Sequence, residues 1–143
     1  MEEQDDQEDV IIRRFGLHPA EEDLDEIRAI IAEQTALRVD AHTLLMKICC
    51  VLLFNTGHVT DSLLIWRAKQ SSFDAACSID GELLCGAGLA KTMLYLGREA
   101  SKDTAAAMAL AYVSSRAEPG GTLDGFAPEV QSAWYDRYYL GNS

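Results

Sequence analysis

The stretch from Asp61 to Gly88 constrains the fold more than any other, because it is apolar on nearly every turn of a helix. No soluble surface leaves so much contiguous apolar area in water, so we expect this stretch to lie between other elements. Nowhere does the sequence alternate apolar and polar residues with period two for long enough to form a strand. The sequence therefore predicts an all-α fold.

Start and stop signals divide the chain into about six helices. The helix after Asp40 is almost wholly apolar, so we expect it to be central and to end at Gly57, and we expect the last helix to begin at Pro128 and end at Gly141. Successive candidate helix starts are 21, 19, 21 and 23 residues apart, at Asp40, Asp61, Asp80, Ser101 and Asp124. Two helices in about 40 residues are typical of a HEAT-like helix-pair stack. The units share no consensus, however, so an irregular helical bundle is an equal alternative, with a slight preference for the short stack.

The length of 143 residues is that of one domain. Residues 1–9 contain six acids and little to bury, so we predict a disordered acidic tail there and a single all-helical domain over 10–143. The acidic N-terminus does not resemble a signal peptide. The longest apolar run, Leu44–Phe54, contains Lys47 and is too short to cross a bilayer. We therefore expect a cytoplasmic protein without a membrane partner.

The net charge of −11 is concentrated in residues 1–9 and in Glu21–Glu33. A surface of this sign repels nucleic acid and anionic lipid and attracts basic proteins. No basic stripe stands in the sequence to neutralise phosphates. We therefore expect a basic protein partner and no nucleic acid. The alternative, held at even odds, is that the charge only maintains solubility.

The residues that invite a chemical interpretation do not form a catalytic or metal motif. Gly86, Gly88 and Lys91 lack the contiguous Gly-Lys-Ser/Thr of a phosphate loop and a preceding strand. We instead expect Gly86 and Gly88 to pack closely against the alanines of the helix over 104–116. The four cysteines show no CxxC spacing, and buried free cysteine behaves as a small apolar residue. The sequence thus predicts no catalytic residue, no cofactor and no metal.

The C-terminal helix carries two aromatic stripes, and Tyr and Trp are frequent interface anchors. We expect one stripe to face the core, and it is formed by Phe126, Val130, Trp134 and Tyr138. The second stripe is formed by Gln131, Tyr135 and Tyr139, and we favour the burial of both stripes with the helix wedged in a groove. The alternative is that the second stripe is exposed beside the nearby acids and forms a binding surface. The predicted partner-binding residues are Glu21, Glu22, Asp23, Asp25, Glu26, Asp124, Glu129, Tyr135, Asp136 and Tyr139.

Three segments carry a resemblance, and they read DSLLIWRAK over 61–69, SFD over 72–74 and LLCGAGL over 83–89. Together they resemble small bacterial proteins that share an LLIWRAK…SFD…LLCGAGL pattern. Those proteins are similar to immunity proteins, which are cytosolic inhibitors encoded beside secreted polymorphic toxins. The resemblance covers about residues 40–98. It implies a non-enzymatic inhibitor of a toxin domain and carries over no catalytic residues.

The sequence therefore leaves three candidate functions. The first is an immunity-type protein that binds and inhibits a cognate, basic toxin domain, as a monomer or weak homodimer. The second is a helical adaptor or scaffold that binds a cellular protein. The third is a small enzyme that uses Cys77 or Cys85, which we rank last because neither thiol has an accompanying base in the sequence.

Overall fold

The computed structural model describes residues 2–141, and the side chains from residue 7 onward. This part of the chain is 75% helical and contains no strand. Its α-helices are α1 (Glu2–Phe15), α2 (Leu24–Leu37), α3 (Thr43–Thr56), α4 (Asp61–Lys69), α5 (Phe73–Ser78), α6 (Leu89–Glu99), α7 (Thr104–Ala117) and α8 (Pro128–Leu140). Short 3₁₀ segments occupy Glu21–Asp23, Arg38–Asp40 and Gly81–Cys85. The predicted all-α class is confirmed.

The eight helices pack as a compact bundle, which is the irregular alternative and not the helix-pair stack. The centre of the bundle is α3, in which every residue from Ile48 to Phe54 is buried. Helices α1, α2, α4, α5 and α8 all contact α3. Much of the stretch 61–88 is buried beside this centre, as expected, although Phe73 at the start of α5 is 81% exposed.

The N-terminal helix differs from the disordered tail that composition predicted for residues 1–9. Helix α1 continues back from Phe15 to Glu2, while Met1, Asn142 and Ser143 lie outside the described residues. Ile11 and Phe15 are buried and hold the C-terminal half of the helix on the core. Packing against distant residues therefore stabilises this helix.

Several helix ends agree with the sequence signals and others shift by a few residues. Pro128 opens α8, and Gly57 and Gly141 end α3 and α8 as predicted. The cap of α3 is His42, not Asp40, because the His42 ring accepts a hydrogen bond from the Leu45 amide. Capping therefore uses whichever side chain the neighbouring helices orient toward the first free amides.

The predicted helix after Asp80 is broken at its small residues. A 3₁₀ segment ends at Cys85, and α6 begins only after Gly88, whose φ of 98° is unfavourable for other residues. A Cβ at Gly86 would stand 2.6 Å from the Phe54 carbonyl oxygen. The expected close approach of another helix at Gly86 is confirmed, but that helix is α3 and not the helix that carries the alanines over 104–116.

The close approach at Gly86 predicts a loss of stability in the Gly86→Ala variant. The new methyl group meets main-chain atoms of Phe54, which cannot rotate away, so we expect unfolding free energy to fall by about 2 kcal/mol or more. The matched control is Gly97→Ala within α6, where the nearest atom lies 4.0 Å away. We expect it to stabilise by up to about 1 kcal/mol through helix propensity. Urea denaturation measures both, and equal effects would contradict the packing.

A largely buried ion pair joins α2 to α4. Asp61 is 5% exposed, and its two carboxylate oxygens accept from Nε and Nη2 of Arg28 at 2.8 and 3.0 Å. The hydrogen bond with Asp61 raises the pKa of the Arg28 guanidinium. Arg28 also donates to Asp25, whose side chain is 96% exposed. One arginine thus makes a buried and an exposed contact that can be compared directly.

We expect Asp61→Ala to lower the free energy of unfolding by about 2–4 kcal/mol, because the substitution leaves a partly buried guanidinium without its main acceptor. The control Asp25→Ala removes an exposed contact with the same arginine and should cost about 0.5 kcal/mol or less. Thermal and urea unfolding of both variants checks the difference. A similar loss in the two variants would mean that burial of Asp61 contributes little.

Candidate protein-binding surface

Helix α8 attaches to the bundle through Tyr135, which is fully buried. The Tyr135 hydroxyl donates to Asp80 at 2.5 Å, and its ring stands edge-on to Phe54 with centroids 6.2 Å apart. Burial, and next the bond to Asp80, raise the pKa of Tyr135. A second polar contact joins the Ser132 hydroxyl, as donor, to the Asn55 side chain at 2.7 Å. These contacts fix the rotation of α8 about its axis.

That rotation exposes most of the stripe that we expected in the core and buries the stripe that we considered as a binding surface. Tyr135 is buried and Tyr139 is partly buried against the core, so neither is the exposed anchor that the sequence predicted. The exposed fractions of Val130, Trp134 and Tyr138 are 70%, 45% and 61%. The physical reason is that Asp80 lies where it can accept from the inward Tyr135 hydroxyl, whereas the other stripe places indole and aliphatic groups outward.

We call Val130, Trp134 and Tyr138 the α8 patch. The rings of Trp134 and Tyr138 stack with centroids 5.3 Å apart and planes 8° from parallel. The Lys47 ammonium lies 5.9 Å from the Tyr138 centroid and supports that ring from the side of α3. The patch is therefore an exposed surface on which two aromatic rings are already stacked.

An open groove of about 510 Å³ runs beside α8, and we call it the α8 groove. It lies between the first turns of α8, the end of α3 and the small residues after Cys85. The residues that line it are Phe54, Asn55, Gly86, Ala87, Pro128, Glu129, Ser132, Ala133 and Asp136. Asp136 pairs with the His18 ring at 3.0 Å, while Glu129 is exposed. The groove therefore combines apolar walls with two carboxylates.

The acidic residues predicted around the start of α2 are mostly exposed but partly paired within the chain. Glu21 meets His58 at 2.6 Å, Glu26 meets Arg14 at 2.6 Å, and Asp25 meets Arg28. Glu22 is exposed and Asp23 is half-buried. The two arginines among these partners reduce the local negative potential below what the number of acids suggested.

The segment 18–21 contacts residues on both sides of it. His18 contacts Asp136 on α8, and Glu21, three residues further on, contacts His58. The segment 18–21 therefore connects the α8 groove to the acidic start of α2. Asp124 has a different role, because its carboxylate accepts from the Gly120 amide and closes the turn before α8. The sequence missed Trp134 and Tyr138 as exposed residues because a stripe pattern does not say which stripe is buried.

The thiols divide into three buried side chains and one exposed side chain, Cys77. Burial raises the pKa of Cys49 and of Cys85 to about 12, and it also raises the pKa of Cys50 well above its usual value. Three of the four cysteines are therefore buried, as expected for small apolar side chains, and the expectation of burial is wrong for Cys77. Among the described residues no three His, Cys, Asp or Glu side chains are grouped to hold a metal ion. No helix of residues 2–141 is long and apolar enough to cross a membrane.

No protein-family model matches the sequence, and no curated protein or solved structure shows significant similarity to it.

We predict that a thiol reagent modifies one cysteine in the folded protein. At pH 8, far below the raised pKa values, the buried thiols remain protonated and shielded, so only Cys77 should react within minutes. A dithionitrobenzoate assay counts the reacting thiols with and without urea, and Cys77→Ser should remove the fast reaction. Rapid modification of a second thiol in the folded chain would contradict the burial of the other three.

Proposed function

We propose that this chain is an immunity-type protein, a cytoplasmic inhibitor that binds one basic toxin domain without chemical turnover. The observation that carries the proposal is the coincidence of exposed carboxylates at the start of α2 with the exposed aromatic α8 patch on a body of net charge −11. The resemblance of residues 61–89 to the pattern of immunity proteins supports the same function.

The electrostatics supply a mechanism for such inhibition. A toxin domain that attacks nucleic acid carries a cationic cleft, and carboxylates such as Glu22 and Glu26 would occupy the place of the phosphates. Opposite charges accelerate association, and this acceleration weakens as ionic strength rises. Aromatic side chains such as Trp134 then slow dissociation by excluding water from the contact. Inhibition of this kind needs only a rigid surface of the correct shape and sign.

The direct test is co-expression with the product of the adjacent open reading frame. We expect the wild-type chain to protect cells and to co-purify with that product in a one-to-one complex. In the Glu22→Lys/Glu26→Lys variant, the association rate at low salt should fall about ten-fold or more, because the charge that guides the encounter is reversed. Stopped-flow or biosensor measurements across a salt series give this rate.

The matched control is Glu33→Lys/Glu118→Lys, which makes the same change in net charge at exposed positions outside the proposed surface. We expect it to lower the association rate only about two-fold. Equal losses in the two variants would show that net charge acts without a defined face. Failure of the wild-type chain to protect cells or to bind the neighbouring product would refute the immunity function.

A second candidate is a helical adaptor that joins cellular proteins. It is favoured by Phe73 and Val39, each 81% exposed, because an adaptor needs apolar contacts beyond a single patch. Deletion of an adaptor should cause a phenotype in cells that contain no toxin. Deletion of an immunity protein should be harmful only when the toxin is present, so the two candidates predict different genetics.

A further inference from the structure

We propose that the α8 patch and the α8 groove form one docking surface for an extended segment of the partner protein, and that this segment places an arginine or lysine side chain in the groove. The inference rests on the proposed function in one respect, namely that the chain acts by binding a protein. It adds the location of the principal contact and the chemistry of the segment that fills it.

The first argument is the state of the aromatic side chains in the free chain. Trp134 and Tyr138 are already stacked on each other, and both remain largely accessible. Ordering of long side chains is a major cost of association, and a preformed stack avoids much of it. Exposed Trp and Tyr with polar tips are the side chains that most often dominate binding energy. An extended segment laid across α8 would cover them.

The second argument is the charge of the groove. Its walls include the apolar side chains of Phe54, Ala87 and Pro128, and its carboxylates are Glu129 and Asp136. Among the described residues that line it, none is a lysine or arginine. The side chain of a lysine or arginine has an apolar stem, which can contact the apolar walls, and a charged head, which can pair with the carboxylates. An acidic or wholly apolar side chain cannot make both contacts.

The third argument is that the polar groups at the base of the groove are already paired. The Ser132 hydroxyl donates to Asn55, and the Asn55 amide donates to the Leu17 carbonyl. Asp136 keeps acceptor capacity beside its contact with His18, because an ionised carboxylate accepts several hydrogen bonds. The carboxylates are therefore the groups left to recognise a ligand, and they select a cationic one.

The test uses two peptide probes and the full chain labelled with ¹⁵N. The probes are acetyl-Phe-Arg-Phe-amide and acetyl-Phe-citrulline-Phe-amide, which have nearly the same shape and differ in charge. We expect amide shifts at Ala87, Glu129 and Ala133, and a dissociation constant at least about five-fold lower for the arginine peptide. Equal affinity for the two peptides, or shifts located elsewhere, would overturn the proposal.

Two sets of variants separate the patch from the groove. Glu129→Gln/Asp136→Asn should abolish the preference for arginine, and Glu129→Gln alone, which leaves the His18 contact intact, should reduce it. Trp134→Ala/Tyr138→Ala should weaken both peptides about ten-fold or more while the remaining preference persists. Unchanged amide spectra outside α8 confirm that each variant is folded. A preference that survives Glu129→Gln/Asp136→Asn would overturn the role of the groove.

The alternative occupant of the patch is a second copy of this chain. Sedimentation of the wild-type chain without peptide should give a monomer, and a dimer that Trp134→Ala/Tyr138→Ala dissociates would overturn the proposal. The result is independent of the immunity function. If the wild-type chain protects cells and Trp134→Ala/Tyr138→Ala protects equally well, the docking surface is wrong while the immunity function stands. If the wild-type chain fails to protect cells although the peptides bind as expected, the immunity function is wrong while the docking surface stands.

Discussion

Helix α3 carries apolar side chains on almost every side, and each of them must be covered by another part of the chain. Its residues from Ile48 to Phe54 are all buried, which no two-layer arrangement of helices could achieve. Five other helices contact it, including α1 near one end of the chain and α8 near the other. The bundle is irregular because its neighbours are arranged around one helix and do not stack in repeated pairs. The burial of α3 thus determines the architecture.

The end of α3 also determines the candidate binding surface. Gly86 allows the chain after Cys85 to approach the backbone of Phe54, and Tyr135 of α8 packs on the Phe54 ring. The groove is the space that remains between these two contacts. With Tyr135 directed toward Asp80, Trp134 and Tyr138 lie on the flank of α8 that remains exposed. The exposed aromatic stack is therefore a consequence of how α8 satisfies a buried hydroxyl.

The net charge of the molecule acts over longer distances than these contacts. Several carboxylates at the start of α2 have internal partners, including Glu21 with His58 and Glu26 with Arg14. Exposed pairs of this kind stabilise the fold weakly and leave a diffuse negative potential. Such a potential increases the rate at which a basic protein arrives, whereas the local contacts at α8 would determine how long it stays. The rate of association and the lifetime of the complex can therefore be changed separately. The charge-reversal variants at the start of α2 alter the first, and the variants of α8 alter the second.

The sequence by itself determined the all-α class, the ends of α3 and α8 at Gly57 and Gly141, and the central position of α3, because these depend on local propensity and on hydrophobic pattern along a single helix. Only the tertiary structure decided which stripe of α8 is exposed, since both stripes are aromatic and the choice depends on Asp80, 55 residues from Tyr135 along the chain. It also decided that Gly86 meets Phe54 and that Cys77 alone among the cysteines is exposed. Contacts between distant residues leave no periodic signal in the sequence, so they emerge only when the helices pack.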